Sequence, residues 1–267
     1  PGDPPVSLPE AVQMAADDGF FVYDFPLSDM DFYAGDWRTE LDQAMACAAR
    51  NGGSFRYAHV PFRFPWADPS PENWAAFEHI MSLAIDGAAR LGVRWVALHP
   101  YTTNEPTDTY DADPCRSAAL EHLQPWLEQA QRLGVHFALE NMQGDAACQP
   151  CRRYCAKVDE LIDLVDSINV DWEGAHGICW DTGHAHIARH VQSTALKAVG
   201  KRLKMIHLHD NHGHADVHLP PYSGSIDWGD FLAGLKAIGY HGDINYEQNL
   251  RQVPRMLRTG LIAYLRD

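Results

Sequence analysis

Six short apolar runs in this sequence of 267 residues each end in a side chain that can bind a cation or move a proton. They are His59 in FRYAHVPF, His99 in WVALHP, Glu140 in FALEN, Asp181 in GICWDTGH, His207 in MIHLHDN and Glu247 in DINYE. His184 follows Asp181 by three residues, and Asp216 and His218 follow the next run in HADVHLPP. One such residue near a strand end is usually a satisfied polar group. Six in register ask for another explanation. Carboxylates gathered away from water are costly unless a cation neutralises them. Imidazole with carboxylate suits Zn²⁺, Mn²⁺, Co²⁺ or Fe²⁺ better than Ca²⁺. A carboxylate within hydrogen-bond reach of a substrate proton can also serve as a base.

Those runs recur in a regular pattern. Helical stretches are expected near 9–18, 38–50, 70–91, 116–133, 157–167, 192–199, 228–238 and 252–265. Apolar strands are expected near 20–25, 54–60, 93–99, 135–140, 176–181, 204–209 and 243–247. The stretch 70–91 shows the logic. Ser70 can cap, Pro71 fits the first turn, and Phe77, Ile80, Met81, Ala84, Ala88 and Leu91 form one apolar stripe before Gly92 stops the helix. Pro125 sits inside the 116–133 stretch as a candidate kink.

Strands alternating with helices over short connections predict an α/β fold with a parallel sheet. This many units predict a closed TIM-type (β/α)8 barrel, read as a single domain over 1–267. In such barrels chemistry gathers at the carboxyl ends of the strands, where the six residues fall. Seven strands are visible, and Pro1–Ser7 makes a poor strand. The first strand is therefore expected upstream of Pro1, the alternative being a barrel that begins on a helix.

The formal charge of −15 comes from 36 acids against 21 bases, which disfavours nucleic acid as a partner. No run is long and apolar enough to predict a membrane span. Six cysteines do not form a secreted disulfide framework, so a reducing cytoplasm is the expected compartment. A homo-oligomer is compatible with the sequence.

FALEN, WDTGH, HLHDN followed by HLPP-x-x-G-x-I-D-W, and GYHGDINYE, in this order, resemble the xylose-isomerase-like barrel superfamily from about residue 9 to the end. That group includes sugar epimerases, hydroxypyruvate isomerases, inosose dehydratases and endonuclease IV. The resemblance implies one divalent ion held by Glu140, Asp181, His207 and Glu247. Mn²⁺ or Zn²⁺ comes first, with Co²⁺, Fe²⁺ or Mg²⁺ also suited. It implies an isomerase or epimerase of a sugar, sugar derivative or small hydroxy-ketone, working through an enediolate. Glu140 and Glu247 would move protons on opposite faces of the carbon, and His184 would bind substrate. Histidines at the places of His59, His99 and His218 contact sugar hydroxyls in such proteins. His209 shares the parity of His207 and stays an alternative ligand. Asp210 and Asn211 are expected to order the following loop. Gly224 matches a glycine that lets that loop pass close to the site, whereas Tyr222 replaces the usual preceding one.

Other readings of the same residues stay open. A keto-sugar or inosose dehydratase or lyase would share the enolate chemistry. A multinuclear zinc phosphoesterase of the endonuclease IV type would use His59, His99 and Glu140 for one ion and Asp181, His207, Glu140 and Glu247 for a second. His184, Asp216 and His218 would hold its third. A non-enzymatic sugar-binding subunit would be expected to have a degraded ligand set, and here the four are intact. Cys148, Cys151 and Cys155, joined by Cys115, offer thiolates for a structural zinc, against the alternatives of a disulfide or free thiols. His212 and His214 read as a solvated loop, Trp228 as a wall residue, and Cys47 and Cys179 as buried small apolar groups. Arg152 and Arg153 are the obvious cations near the rim that could meet a substrate phosphate, with a solvated loop as the equal alternative.

Overall fold

The computed structural model describes residues 6–28, 31–144, 151–172, 174–248, 250 and 253–267. In chain order the elements are α1 (Leu8–Asp17), β1 (Val22–Pro26), α2 (Trp37–Arg50), β2 (Ser54–His59), α3 (Pro71–Leu91), β3 (Trp95–Leu98) and β4 (Asn104–Pro106). Next come α4 (Ala112–Leu133), β5 (His136–Glu140), β6 (Cys151–Arg153), α5 (Val158–Asp171), β7 (Gly177–Asp181), α6 (Thr182–Ile187) and α7 (Gln192–Val199). The last are β8 (Leu203–Leu208), α8 (Trp228–Ile238), β9 (Asn245–Tyr246) and α9 (Arg255–Arg266). Short 3-10 turns precede α2 and β8. Residues 1–5, most of the stretch expected to make a poor strand, lie outside the described residues.

The chain packs as two compact units. The first holds residues 1–96, 129–135 and 254–267. Its β1 and β2 pair in parallel, Val22 opposite Ser54 and Pro26 opposite His59. Helix α3 follows the expected rules: Ser70 Oγ accepts from the Asn73 N–H at 3.4 Å, Pro71 opens the first turn, and Gly92 closes the helix in the left-handed conformation. Phe77, Met81, Ala84, Ala88 and Leu91 of the expected stripe are buried, and Ile80 is half-buried.

The second unit holds residues 97–128 and 136–253. Its parallel strands run in the order β5-β7-β8-β9, with Glu140 opposite Cys179, Asp181 opposite His207 and His207 opposite Asn245. Phe137, Ala138, Leu139, Ile178, Cys179, Trp180, Met205 and Ile206 are fully buried. Each large side chain among them contributes about 1.5–3 kcal/mol by leaving water. Cys179 is thus the buried apolar residue the sequence suggested. This apolar layer fixes the register that brings the polar strand ends level. Helix α4 continues through Pro125 as one element. An antiparallel ribbon of β4 and β6, Asn104 opposite Arg153, was not expected. Its strands are three residues long, too short to show an alternating pattern.

Candidate functional site

The carboxyl ends of β5, β7, β8 and β9 gather the polar residues of the second unit. Glu140 ends β5 and Asp181 ends β7, and both are buried, at 1% and 0% exposure. Asn141 ties the two ends together: its side-chain N–H donates to the Asp181 carbonyl at 3.0 Å, and the Asp181 N–H donates to Asn141 Oδ1 at 2.7 Å. The Asp181 carboxylate also caps α6 by accepting from the His184 N–H at 2.6 Å. That cap turns the His184 ring into the cluster.

His184 Nδ1 donates to the Asn141 carbonyl at 2.9 Å and lies 3.1 Å from Glu140 Oε1, while Nε2 faces Asp216 Oδ2 at 3.3 Å. With acceptors on both sides, both ring nitrogens keep their protons. Burial opposes that charge, but Asp181, Asp216 and Glu140 outweigh it and hold the imidazole well above its usual pKa. His207 Nδ1 lies 3.0 Å from Glu140 Oε2 and 3.6 Å from Glu247 Oε2. His99 Nε2 lies 3.5 Å from Glu140 Oε1. Burial works against a charged Glu140, yet His99, His207 and His184 hold it well below the carboxylate range. Asp181 is likewise lowered, against burial, by His184 and His209.

His209 is fully buried, with Nε2 2.9 Å from Asp181 Oδ2 and its ring stacked on His218 at 4.0 Å. Gly183 makes room for it, since a Cβ there would enter the His209 ring. His218 Nδ1 donates to the Glu247 carbonyl at 2.7 Å and Nε2 lies 3.3 Å from Asp216 Oδ2. Against the opposing effect of burial, Asp216 pushes the His218 pKa up to about 9. Asp216 itself is lowered, burial notwithstanding, by His184 and His218.

Asp210 holds the loop that carries Asp216 and His218. Its carboxylate accepts from the backbone N–H groups of Asn211, Gly224 and Ile226 and from Trp228 Nε1, at 2.8–3.2 Å. A side chain at Gly224 would collide with that carboxylate and with the Asn211 carbonyl. Trp228 is buried at the start of α8, in keeping with a wall residue, and it also clips the loop. Tyr222 sits exposed at φ 64°, a left-handed conformation that explains why glycine suits this position.

The expected ligands Glu140, Asp181, His207 and Glu247 therefore lie together. The donor atoms of Asp181, His207 and Glu247 are within 4.8 Å of one another, as are those of Glu140, Asp181 and His184, and those of His209, His218 and Glu247. This donor set fits a divalent transition ion. Buried His209 Nδ1 and Asp216 Oδ1 have no hydrogen-bond partner, which marks polar capacity left over in the same cluster. His59 belongs to the first unit, where it is buried with Nδ1 2.7 Å from the Val60 carbonyl. The role of Asn141 and the contact of His209, an alternative ligand by sequence, with Asp181 were not foreseen. The Asn following Glu140 in FALEN was the available signal for the first, while the second depends on a ring filling the space above Gly183.

Cys148 and the Cys151 side chain lie outside the described residues, and with them most of the expected cysteine zinc site. Cys115 and Cys155 are free thiols, raised in pKa chiefly by burial. Among the described residues no helix is long and apolar enough to cross a membrane.

A family model described as xylose isomerase-like TIM barrel matches residues 10–262. An uncharacterized protein of Methanocaldococcus jannaschii is 31% identical over 174 residues, 63% of this chain and 55% of that protein. An uncharacterized protein of Sinorhizobium fredii is 35% identical over 166 residues, 61% of this chain and 50% of that protein. The chain thus spans about half the length of these two curated relatives. The L-ribulose 3-epimerase of a Methylomonas species is 24% identical over 85% of this chain and 86% of its own. The D-psicose 3-epimerase of Clostridium cellulolyticum, solved with D-tagatose, superposes with a TM-score of 0.73 at 18% identity, covering 98% of this chain and 92% of that one. The IOLI protein, solved with a zinc atom, gives a TM-score of 0.75 at 16% identity, covering 98% and 91%. At such identities these structures show the fold, an α/β barrel of the TIM type.

Proposed function

The chain belongs to the xylose isomerase-like TIM barrel family, and from that premise we propose that it is a divalent-metal-dependent isomerase or epimerase of a sugar, sugar derivative or small hydroxy-ketone. The observation that carries the reading is the meeting of Glu140, Asp181, His207 and Glu247 at the carboxyl ends of neighbouring strands. These four residues would hold the ion. When bound, it supplies Lewis-acid polarisation of the substrate carbonyl.

The protein's own groups do the proton work. Glu140, ionised and enclosed, takes the proton from the carbon next to the carbonyl, and Glu247 serves the opposite face. Its side chain is 40% exposed, as befits a group that meets an incoming substrate. His184, protonated and buried, sets a positive charge beside a substrate oxygen as negative charge develops there. His99 and His218 contact hydroxyls. The burial of Glu140, Asp181 and His184 keeps water from the reacting carbon.

The test is isotope uptake. Incubated in D₂O with Mn²⁺ and a panel of ketoses and hydroxy-ketones, the protein should place deuterium on the carbon next to the carbonyl of at least one of them. An active preparation that rearranges substrate without exchange would overturn the proton-transfer mechanism. A dehydratase or lyase would share the exchange and differ in releasing water or a fragment. One observation favours a second reading, a multinuclear phosphoesterase: Asp216 lies 3.3 Å from both His184 and His218, a grouping that could take a further ion. Phosphoester cleavage without C–H exchange would select it.

A further inference from the structure

The unexpected ribbon of β4 and β6 carries two successive arginines, and they have opposite fates. Neighbouring strand residues point to opposite faces. Arg152 is committed to the fold: its Nη2 donates to Glu160 Oε1 at 2.7 Å, and its guanidinium lies 4.1 Å over the Tyr110 ring. Glu160 completes that anchor by accepting from the Cys155 N–H at 3.1 Å. Arg153 faces the other way. Its Nε is buried with no hydrogen-bond partner, and among the described residues it forms no ion pair.

The ribbon sits beside the loops that bear site residues. The Met142 N–H, two residues past Glu140, donates to the Cys155 carbonyl at 3.0 Å. Thr102 Oγ1, three residues past His99, donates to the Tyr154 carbonyl at 3.3 Å. The chain just past Arg153 therefore rests on the backbone just past Glu140, and the Glu140 charge acts on the Arg153 guanidinium. Glu140 already faces His99, His184 and His207, so it needs no arginine for its own balance. A buried cation that makes no ion pair is costly, and arginine does not escape by losing its proton.

We propose that Arg153 recognises an anionic group, a carboxylate or a phosphate, on the substrate, so that the site takes an acidic sugar derivative in preference to a neutral sugar. The inference rests on the isomerase or epimerase reading and deepens it by naming the substrate class. The guanidinium fork matches either anion in a two-point contact. Burial already pulls Arg153 below the usual arginine pKa against the opposing effect of Glu140 and Cys155, so an arriving anion would relieve an existing cost. The overall charge of −15 sharpens the need, because an anion approaching this protein requires a local cation.

The test is calorimetric binding of three probes, D-glycerate, inorganic phosphate and neutral D-fructose, to the Mn²⁺-loaded and to the chelator-treated protein. At least one anion should bind more tightly than fructose, and which one identifies carboxylate or phosphate as the source. Arg153→Met should weaken that anion about tenfold or more in both forms while leaving fructose unchanged. Arg153→Lys, which keeps the charge and loses the fork, should fall between. If the methionine variant does not fold, the lysine variant alone should still lose anion affinity severalfold. Anions binding no better than fructose, or unchanged anion binding in the variants, would overturn the proposal. Deuterium exchange fails or succeeds independently: arginine-dependent anion binding without any exchange would sink the isomerase or epimerase reading instead.

Discussion

The parallel strands of the second unit have histidines near both ends, and the two ends use them differently. At the amino end His176 is 3% exposed and serves the backbone: its Nδ1 accepts from the Phe137 N–H at 3.1 Å, and its own peptide group exchanges hydrogen bonds with the Asn169 side chain. Burial, helped by His136, pulls its pKa down to about 4, so the ring is neutral. At the carboxyl end His184 is as enclosed and His218 is half-buried, yet carboxylates raise both above the usual histidine pKa. The difference is the company each ring keeps. A buried histidine without a carboxylate neighbour is a neutral pin, whereas one among carboxylates holds a charge that a cation or a substrate can replace. Barrels of this type carry stability at the amino face and chemistry at the carboxyl face.

The strongest way to break this contrast is Glu140→Gln. Turnover should fall about 10²–10⁴-fold while the fold is retained, measured by steady-state kinetics beside a thermal melt. Normal activity would remove Glu140 from the proposed chemistry. Glu247→Gln should come next, with deuterium exchange lost on one face of the carbon by about 10²-fold, read by NMR of the recovered substrate. Exchange persisting on both faces would reject its role.

The amino end predicts a smaller effect, on stability alone. Because the folded pKa of His176 is below its unfolded value near 6.5, the unfolded chain takes up the proton first as pH falls. Stability from this group is therefore complete above about pH 6.5 and declines toward pH 4, by about 2 kcal/mol between pH 7 and pH 5. His176→Gln, which keeps an acceptor for the Phe137 N–H, should lose that acid sensitivity in urea unfolding at the two pH values and leave turnover intact. The least effect is expected at neither end. Arg90 pairs with Asp42 through an exposed two-point contact on the first unit, and Arg90→Ala should leave the unfolding midpoint nearly unchanged.

Most of this layout was legible in the sequence for a physical reason. The strands of the second unit are continuous apolar runs, so their last residues stand out as polar, and Glu140, Asp181 and His207 fall where expected. Helix α3 announced itself through Ser70, Pro71 and Gly92. The ribbon of β4 and β6 could not be read, because strands of three residues carry no period and Pro106 sits in one of them. Nor could the division of labour between His207 and His209. Both point the same way along the strand, and only the packing above Gly183 sends His209 to Asp181. Arg152 and Arg153 looked alike in sequence and part company because Glu160 and Tyr110 stand on one face of the ribbon.

The central claim is that the carboxyl end of the second unit is a metal centre, and elemental analysis tests it most directly. Protein purified without chelator or a metal-binding tag should carry about one divalent transition ion per chain, and Asp181→Ala should lose most of it, by analogy with the 10–100-fold losses that even outer-shell changes cause. Protein that holds no such ion, even after Mn²⁺ or Zn²⁺ is added back and excess is removed, would contradict the account.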